Sequence, residues 1–281
     1  MSLRSAVSAR AALDGARTAI AAGGSPSPRL DAELLLAAAL GVARERLITD
    51  PELGVEGDAV RRFQSYVRRR SVEREPVAYI IGRRSFRHLE LAVDARVLVP
   101  RPETELLVEV GLELAPGTRV LDCCTGSGAV ALALADERSD LAISASDISE
   151  PALAVARTNA ERLGLAVEWQ RADLLDGLGD RFDAILANPP YIPTETLPGL
   201  EPEVSRHEPA LALDGGGDGL MIVRRLVEQA SSTIAELLAV EFGEGQGGSV
   251  AALCIEAGYA TTEARRDLAG IERVIIARRR S

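Results

Sequence analysis

Asp122-Cys123-Cys124-Thr125-Gly126-Ser127-Gly128 joins a short strand-like run, Arg119 to Cys123, to an alanine-rich stretch from about Ala129 to Asp136. The run reads as a buried strand and the stretch as a helix. Glycines at such a joint let the backbone pass close to a ligand, and the helix start behind them presents unpaired N–H groups. Gly126-Ser127-Gly128-Ala129-Val130-Ala131 fits the dinucleotide pattern G-x-G-x-x-A, a weak signal when taken alone.

Downstream, strands and helices alternate. Strand two spans Leu141 to Ser146, and a helix follows from Pro151 to Leu163. Strand three spans Val167 to Gln170 and strand four Asp183 to Ala187. A long loop, about Ile192 to Gly217, precedes a helix from Leu220 to Ser231. Strand five spans Leu237 to Phe242. A helix from Val250 to Ala257 and strands near Tyr259–Arg265 and Arg273–Arg278 finish the chain. This alternation predicts an α/β fold with a doubly wound parallel sheet.

In open α/β sheets, ligands bind outside the carboxyl ends of the strands. Asp147 ends strand two, where a carboxylate can accept both hydroxyls of a ribose, whether of NAD or of S-adenosylmethionine. Asp173-Leu174 follows strand three. It can set a carboxylate on an adenine amino group with an apolar side chain against the ring, or it is an ordinary surface loop. After strand four comes Asn188-Pro189-Pro190-Tyr191. Neither proline can donate to a sheet ladder, and each ring fixes φ. The residues before them are pushed toward extended geometry. The result is a rigid bracket for the Asn188 amide and the Tyr191 ring, suited to hold an amide or amine nitrogen for methylation; the plain alternative is a strand-ending turn.

Upstream, residues 1 to about 75 read as all-helical. Ser2 to Ala22 ends at Gly23-Gly24, and Ser27-Pro28 opens a second helix that runs to Gly41. Arg44 to Ile48 adds a short turn. Asp58 caps a third long helix, which ends in Arg68-Arg69-Arg70. Those arginines are either a solvated end favoured by the helix dipole or a contact for an acidic or RNA-bound partner. Val77 to Gly82 and Arg87 to Val93 read as the two strands of a hairpin. The expected domains are therefore 1–75 helical, 76–98 a β-hairpin linker and 99–281 the α/β domain. Within the last, Val99-Pro100-Arg101-Pro102-Glu103-Thr104-Glu105 leads into a helix running to about Leu114, with Pro102 at its first position.

Composition removes several classes of function. All 32 basic residues are Arg, so no lysine is present for a Schiff base or a P-loop. The net charge is −10, which disfavours a general nucleic-acid binder. Three Cys (Cys123, Cys124, Cys254) make no disulfide framework or zinc spacing, and His88 and His207 are too few and scattered for a metal cluster. The N-terminus lacks the apolar core of a signal peptide, and no run reaches membrane-span length. The expectation is a cytoplasmic monomer with no metal, no membrane contact and no direct nucleic-acid contact.

Taken together, the acidic end of strand one, the glycine loop, Asp147, Asp173 and Asn188-Pro189-Pro190-Tyr191 closely resemble the class I S-adenosylmethionine-dependent methyltransferases, which have a Rossmann-like sheet. Within them the chain looks like the HemK/PrmC family, which methylates the glutamine of the Gly-Gly-Gln motif in class 1 peptide-chain release factors. The likeness covers nearly the whole chain. It is sharpest at Leu98–Glu105, Asn188–Ile192, Glu208-Pro209, Ala212–Gly216 and Asp218–Leu220.

The resemblance implies S-adenosyl-L-methionine as cofactor, S-adenosyl-L-homocysteine as product and a release factor as protein substrate. It implies that Cys124, Thr125, Gly126, Ser127 and Gly128 meet the methionine part of the cofactor, Asp147 the ribose, and Asp173 and Leu174 the adenine region. Asn188, which also borders the cofactor, and the Pro189 carbonyl would hold the glutamine amide. Tyr191 and Pro190 would pack around it, and Arg101 and Glu103 would shape the other wall. The helical front domain would recognise the substrate. Two departures stand out: Cys124 where the family usually has Gly, and Ile234-Ala235-Glu236 where it usually has a Gly-Gly turn. The alternatives are a nucleic-acid adenine N6-methyltransferase, whose bracket is similar, a non-catalytic cofactor-binding module, and an NAD-dependent oxidoreductase.

Overall fold

The computed structural model describes residues 7–280, which divide into two units. The first holds the chain up to Gly82 together with Glu201–His207. The second holds Arg83–Leu200 and Glu208 onward. The division therefore departs from 1–75, 76–98 and 99–281: the hairpin groups with the sheet, and a short piece of the long loop groups with the helices. Residues 1–6, including the expected start of the first helix, lie outside the described residues.

In chain order the first unit begins with β1 (Val7–Ser8), α1 (Ala9–Ala22), α2 (Pro28–Leu40), α3 (Arg44–Thr49), β2 (Gly54–Val55), α4 (Gly57–Ser71) and α5 (Val77–Ile81). Ser8 caps α1 by accepting the Ala11 N–H at 3.4 Å, and Gly41 ends α2 in the left-handed conformation. Ile20, Leu35, Leu36, Leu47, Phe63 and Ile80 form one core. One expectation fails here. Val77–Ile81 is a helix, not a strand, because Pro76 starts it and Gly82, at φ 73, closes it with an N–H to the Ala78 carbonyl. The β-branched residues suggested a strand, but the flanking Pro and Gly are helix punctuation, and Ala78, Tyr79 and Ile80 are all buried. The hairpin strands are instead β3 (Arg83–Phe86) and β4 (Leu89–Ala92), paired antiparallel.

The arginine run is not a solvated helix end. Arg70 is 5% exposed and bonds Asp31 at 2.6 Å and also Glu203, which sits on a short helix of the long loop. Arg74 grips both oxygens of Glu203 at 2.7 Å. Arg69 pairs with Glu75, and only Arg68 is well exposed. Burial works against the Glu203 charge, but the Arg74 and Arg70 guanidiniums hold its carboxyl down at about 2.

In the second unit α6 (Glu105–Leu112) follows a single 3-10 turn at Pro102–Thr104. Then come β5 (Arg119–Cys123), α7 (Ala129–Glu137), β6 (Ala142–Asp147), α8 (Glu150–Leu163), β7 (Glu168–Arg171) and β8 (Ala184–Ala187). The helix α9 (Pro202–Ser205) belongs to the first unit. After it come α10 (Met221–Ser231), β9 (Leu237–Glu241), α11 (Gly247–Glu256), β10 (Thr261–Arg266) and β11 (Glu272–Arg278). The sheet order is β10-β11-β9-β8-β5-β6-β7, with β11 antiparallel to β9 and β10 antiparallel to β11. The other pairs are parallel.

Burial on both faces explains the near-continuous apolar runs of β8 and β9. Alternate residues serve opposite sides: Val120, Leu186 and Ala239 join α6 and α7 in one core, while Leu121, Ile185 and Val240 join α10 and α11 in the other. From β5 the chain winds outward through β6 to β7, then returns to β8 on the other side of β5. The reversal opens a crevice at the carboxyl ends of β5 and β8, the place where such sheets bind ligands. Among the described residues, no helix is long and apolar enough to cross a membrane.

Candidate active site

A cavity of about 480 Å³ opens at that crevice. Within the second unit it brings together Arg101, Cys124, Thr125, Gly126, Ser127, Asp147, Asp173, Leu174, Asn188 and Pro190, residues drawn from five separate loops. Its volume falls in the range of small-molecule sites. Gly128, Glu103, Pro189 and Tyr191 do not line it. Gly128 has a packing role: at φ 84 it starts α7, and a Cβ there would press on Leu132, Trp169 and Ala156 at 3.0–3.2 Å.

The glycine loop is built around Asp122, the buried acid inside β5. Its carboxyl accepts the Thr125 hydroxyl at 2.5 Å and the Ala131 N–H at 3.1 Å, one of the free donors of the α7 start. Burial pushes this acid up to about 7, despite those two bonds. Asp147 closes the loop from the next strand, accepting the Gly126 N–H and the Ser149 N–H at 2.9 Å each. Burial raises its pKa too, against hydrogen bonds from the Ser149, Gly126 and Ile148 N–H groups, and the carboxylate's remaining acceptor capacity is available to a ligand. Asp173 at the far end is already paired with Arg225 at 2.9 Å, a cavity residue that local reading of the sequence had no means to find.

Cys124 has φ 62, so the cysteine adopts the left-handed backbone for which glycine is the usual choice. The loop keeps its shape at a cost in strain of about 1 kcal/mol. Cys124→Gly is therefore expected to stabilise the protein by about 1 kcal/mol, read from urea denaturation; a clear loss of stability would mean that thiol packing outweighs backbone strain.

The bracket after β8 is held from several sides. The Asn188 Nδ2 donates to the Thr104 hydroxyl at 3.0 Å. The Tyr191 hydroxyl donates to Glu241 at 3.3 Å, and the Gln246 side chain donates to the Tyr191 carbonyl at 3.0 Å. Ile192 bridges to the segment around Asp214: its N–H bonds the Leu213 carbonyl at 3.0 Å, and its carbonyl accepts the Gly215 N–H at 2.9 Å. Gly219, at φ 75, is pressed so close that a Cβ would lie 2.4 Å from the Tyr191 carbonyl oxygen. The motif Ala212–Leu220 therefore serves as the backing of the bracket. Arg101 reaches Glu208, almost fully buried, at 2.7 Å and forms the opposite wall.

Comparison with known proteins gives this geometry a family. Residues 11–82 match the PrmC N-terminal domain, and residues 102–243 match the methyltransferase small domain. The release factor glutamine methyltransferase of Caulobacter vibrioides is 41% identical over 261 residues, covering 90% of each chain. That of Moorella thermoacetica is 43% identical over 280 residues, covering 96% of this chain and 98% of the relative. The chain belongs to the release factor glutamine methyltransferase family. In fold it also resembles a solved methyltransferase from Pyrococcus furiosus, with a TM-score of 0.52 at 18% identity over 68% of this chain and 89% of that one.

In this methyltransferase the sequence pattern pointed to most of the cavity, and to Thr104 within the Leu98–Glu105 motif, but not to the contacts that support the bracket. Thr104, Glu241 and Gln246 meet Asn188 or Tyr191 from 50 to 84 positions away in the chain. Asn159, fully buried on α8, ties the Ser127 carbonyl of the glycine loop to both backbone groups of Ala92. Its one legible signal was a polar residue on the apolar face of a helix.

Proposed function

We propose that the chain transfers the methyl group of S-adenosyl-L-methionine to the side-chain amide nitrogen, N5, of the glutamine in the Gly-Gly-Gln motif of a class 1 release factor. The observation that carries this reading is the Asn188 amide, anchored by its nitrogen to Thr104 beside a cavity that Asp147 and the glycine loop close. With Nδ2 engaged, Oδ1 is the end of Asn188 left to accept a hydrogen bond.

The cavity suits the proposed cofactor. Asp147 has acceptor capacity for ribose hydroxyls, Leu174 and Ile148 offer apolar walls to a flat ring beside Asp173, and the Cys124–Ser127 loop borders the space for the methionine part. The bound cofactor supplies an electrophilic methyl on a positively charged sulfur. A glutamine amide nitrogen is a poor nucleophile, because its lone pair is delocalised into the carbonyl. Asn188 Oδ1 and the Pro189 carbonyl would accept its two N–H bonds, orient the nitrogen and favour the positive charge that grows on it. That is stabilisation of the transition state rather than of bound substrate. The alkylated nitrogen then releases a proton to water, so no dedicated base is required. On this reading the protein acts in the cytoplasm as a monomer, meets its protein substrate through the helical unit as well as the cavity, and needs no direct nucleic-acid contact.

Incubation with methyl-labelled S-adenosylmethionine and either a release factor or DNA tests the proposal. Label is expected on the release factor; label on DNA alone would refute it.

A further inference from the structure

The turn after β7 is held from two sides. At its start the Ala172 N–H donates to the Asp147 carbonyl at 3.1 Å. From α10 come two side chains, Arg225 and Gln229, one helical turn apart and so on one face. Gln229 accepts the Leu175 N–H at 2.9 Å and donates to the Asp176 carboxylate at 3.0 Å. Arg225 donates to Asp173 Oδ2 at 2.9 Å. Between these ties Leu174 is buried at φ 58, a strained backbone for a leucine that persists only where its surroundings fix it. Asp173, Leu174 and Arg225 all line the cavity. The proposed transfer as described so far makes no use of Arg225.

We propose that Arg225 is a positioning residue that sets the base specificity of the cofactor site: by engaging Oδ2 of Asp173 it reserves Oδ1 for the amino group of adenine. The inference rests on the placement of adenine beside Asp173 and Leu174 in the proposed function. Among the described residues Asp173 Oδ1 makes no hydrogen bond. An ionised carboxylate only accepts, so this oxygen rewards a base that carries N–H donors and offers nothing to one that lacks them. The Asp173 side chain is 41% exposed, and an unheld carboxylate there would turn toward water. Arg225 removes that freedom before the cofactor arrives, which is preorganisation. An ion pair this exposed adds little to folding stability, so its effect falls on ligand choice. Gln229 acts differently: it grips the backbone of the turn and serves whatever ligand fills the cavity.

The test is a binding cycle that needs no protein substrate. Calorimetry gives Kd for S-adenosylhomocysteine and for its analogue whose purine carries hydrogen in place of the amino group, each on wild type and on Arg225→Met. Wild type is expected to prefer the amino-bearing ligand about tenfold or more, the worth of a hydrogen bond to a charged group. Arg225→Met should cut that preference to about threefold, through weaker binding of S-adenosylhomocysteine, while Kd for the analogue stays near the wild-type value. The Tm without ligand should also stay near wild type, since the variant removes only a half-exposed ion pair. A preference that is unchanged in Arg225→Met, or an equal loss of both ligands, would overturn the positioning role alone. Wild type that binds both ligands equally would overturn the placement of adenine at Asp173, and the inference with it.

Discussion

Asn188→Ala is expected to lower kcat for methyl transfer about 10²–10³-fold, the loss typical of removing one preorganised hydrogen-bonding group from a reacting centre. The mechanism sets both the size and the selectivity of the effect. Asn188 is anchored by its nitrogen to Thr104 at 3.0 Å, so its carbonyl oxygen is preoriented before substrate arrives. On the proposed reading its bond to the substrate nitrogen would strengthen as positive charge develops there, so the loss should fall on kcat more than on KM. On the same reading Asp147 and the glycine loop carry most of the cofactor affinity, which should change far less. Asn188→Asp restores an acceptor but repels the Thr104 oxygen unless Thr104 reverses its proton, and it should recover part of the rate. Steady-state kinetics with calorimetric binding of S-adenosylmethionine checks the pair. Equal loss of binding and turnover would remove the assigned role.

The largest expected effect on stability lies in the helical unit. Arg70→Ala leaves Asp31 without its guanidinium partner in a buried site and removes one of the two arginines that neutralise Glu203. Breaking a buried ion pair in this way costs about 3–5 kcal/mol. The Ser25 and Ser27 hydroxyls that also bond Asp31, at 2.7 and 3.0 Å, soften the loss without replacing the charge. Arg68→Ala, at the well-exposed neighbouring position, should fall within about 0.5 kcal/mol of wild type. Urea unfolding followed by a probe in the helical unit separates the two variants. The pH dependence has a definite sign. The folded pKa of Glu203, about 2, lies below its ordinary value of 4.5. The stabilisation is therefore fully present above about 4.5 and is lost as pH falls toward 2.

How far these features could be read from the sequence depended on the range of the interactions behind them. The strands β8 and β9 were legible because burial on both faces writes itself into local apolar runs. Asp147 and Asn188 were legible because strand ends in such sheets converge on the switch point, whatever the side chains do in detail. Cys124 could be recognised as an unusual residue at a position suited to glycine, and its φ of 62 supplies the physical content. Val77–Ile81 misled because β-branched residues in a five-residue helix are chosen for packing rather than propensity. The run Arg68–Arg70 carried no mark of burial, since its carboxylate partners lie as far as 133 positions away. Thr104 stands inside the Leu98–Glu105 motif, but what it and Glu241 hold had no local mark, because their partners Asn188 and Tyr191 lie across the fold.

The most direct test of the central claim is mass spectrometry of a class 1 release factor co-expressed with this protein. The account predicts one added methyl group on the glutamine of the Gly-Gly-Gln motif, absent when Asn188→Ala replaces wild type. An unmodified glutamine beside active wild-type protein, or a methyl group placed on another residue, would contradict it.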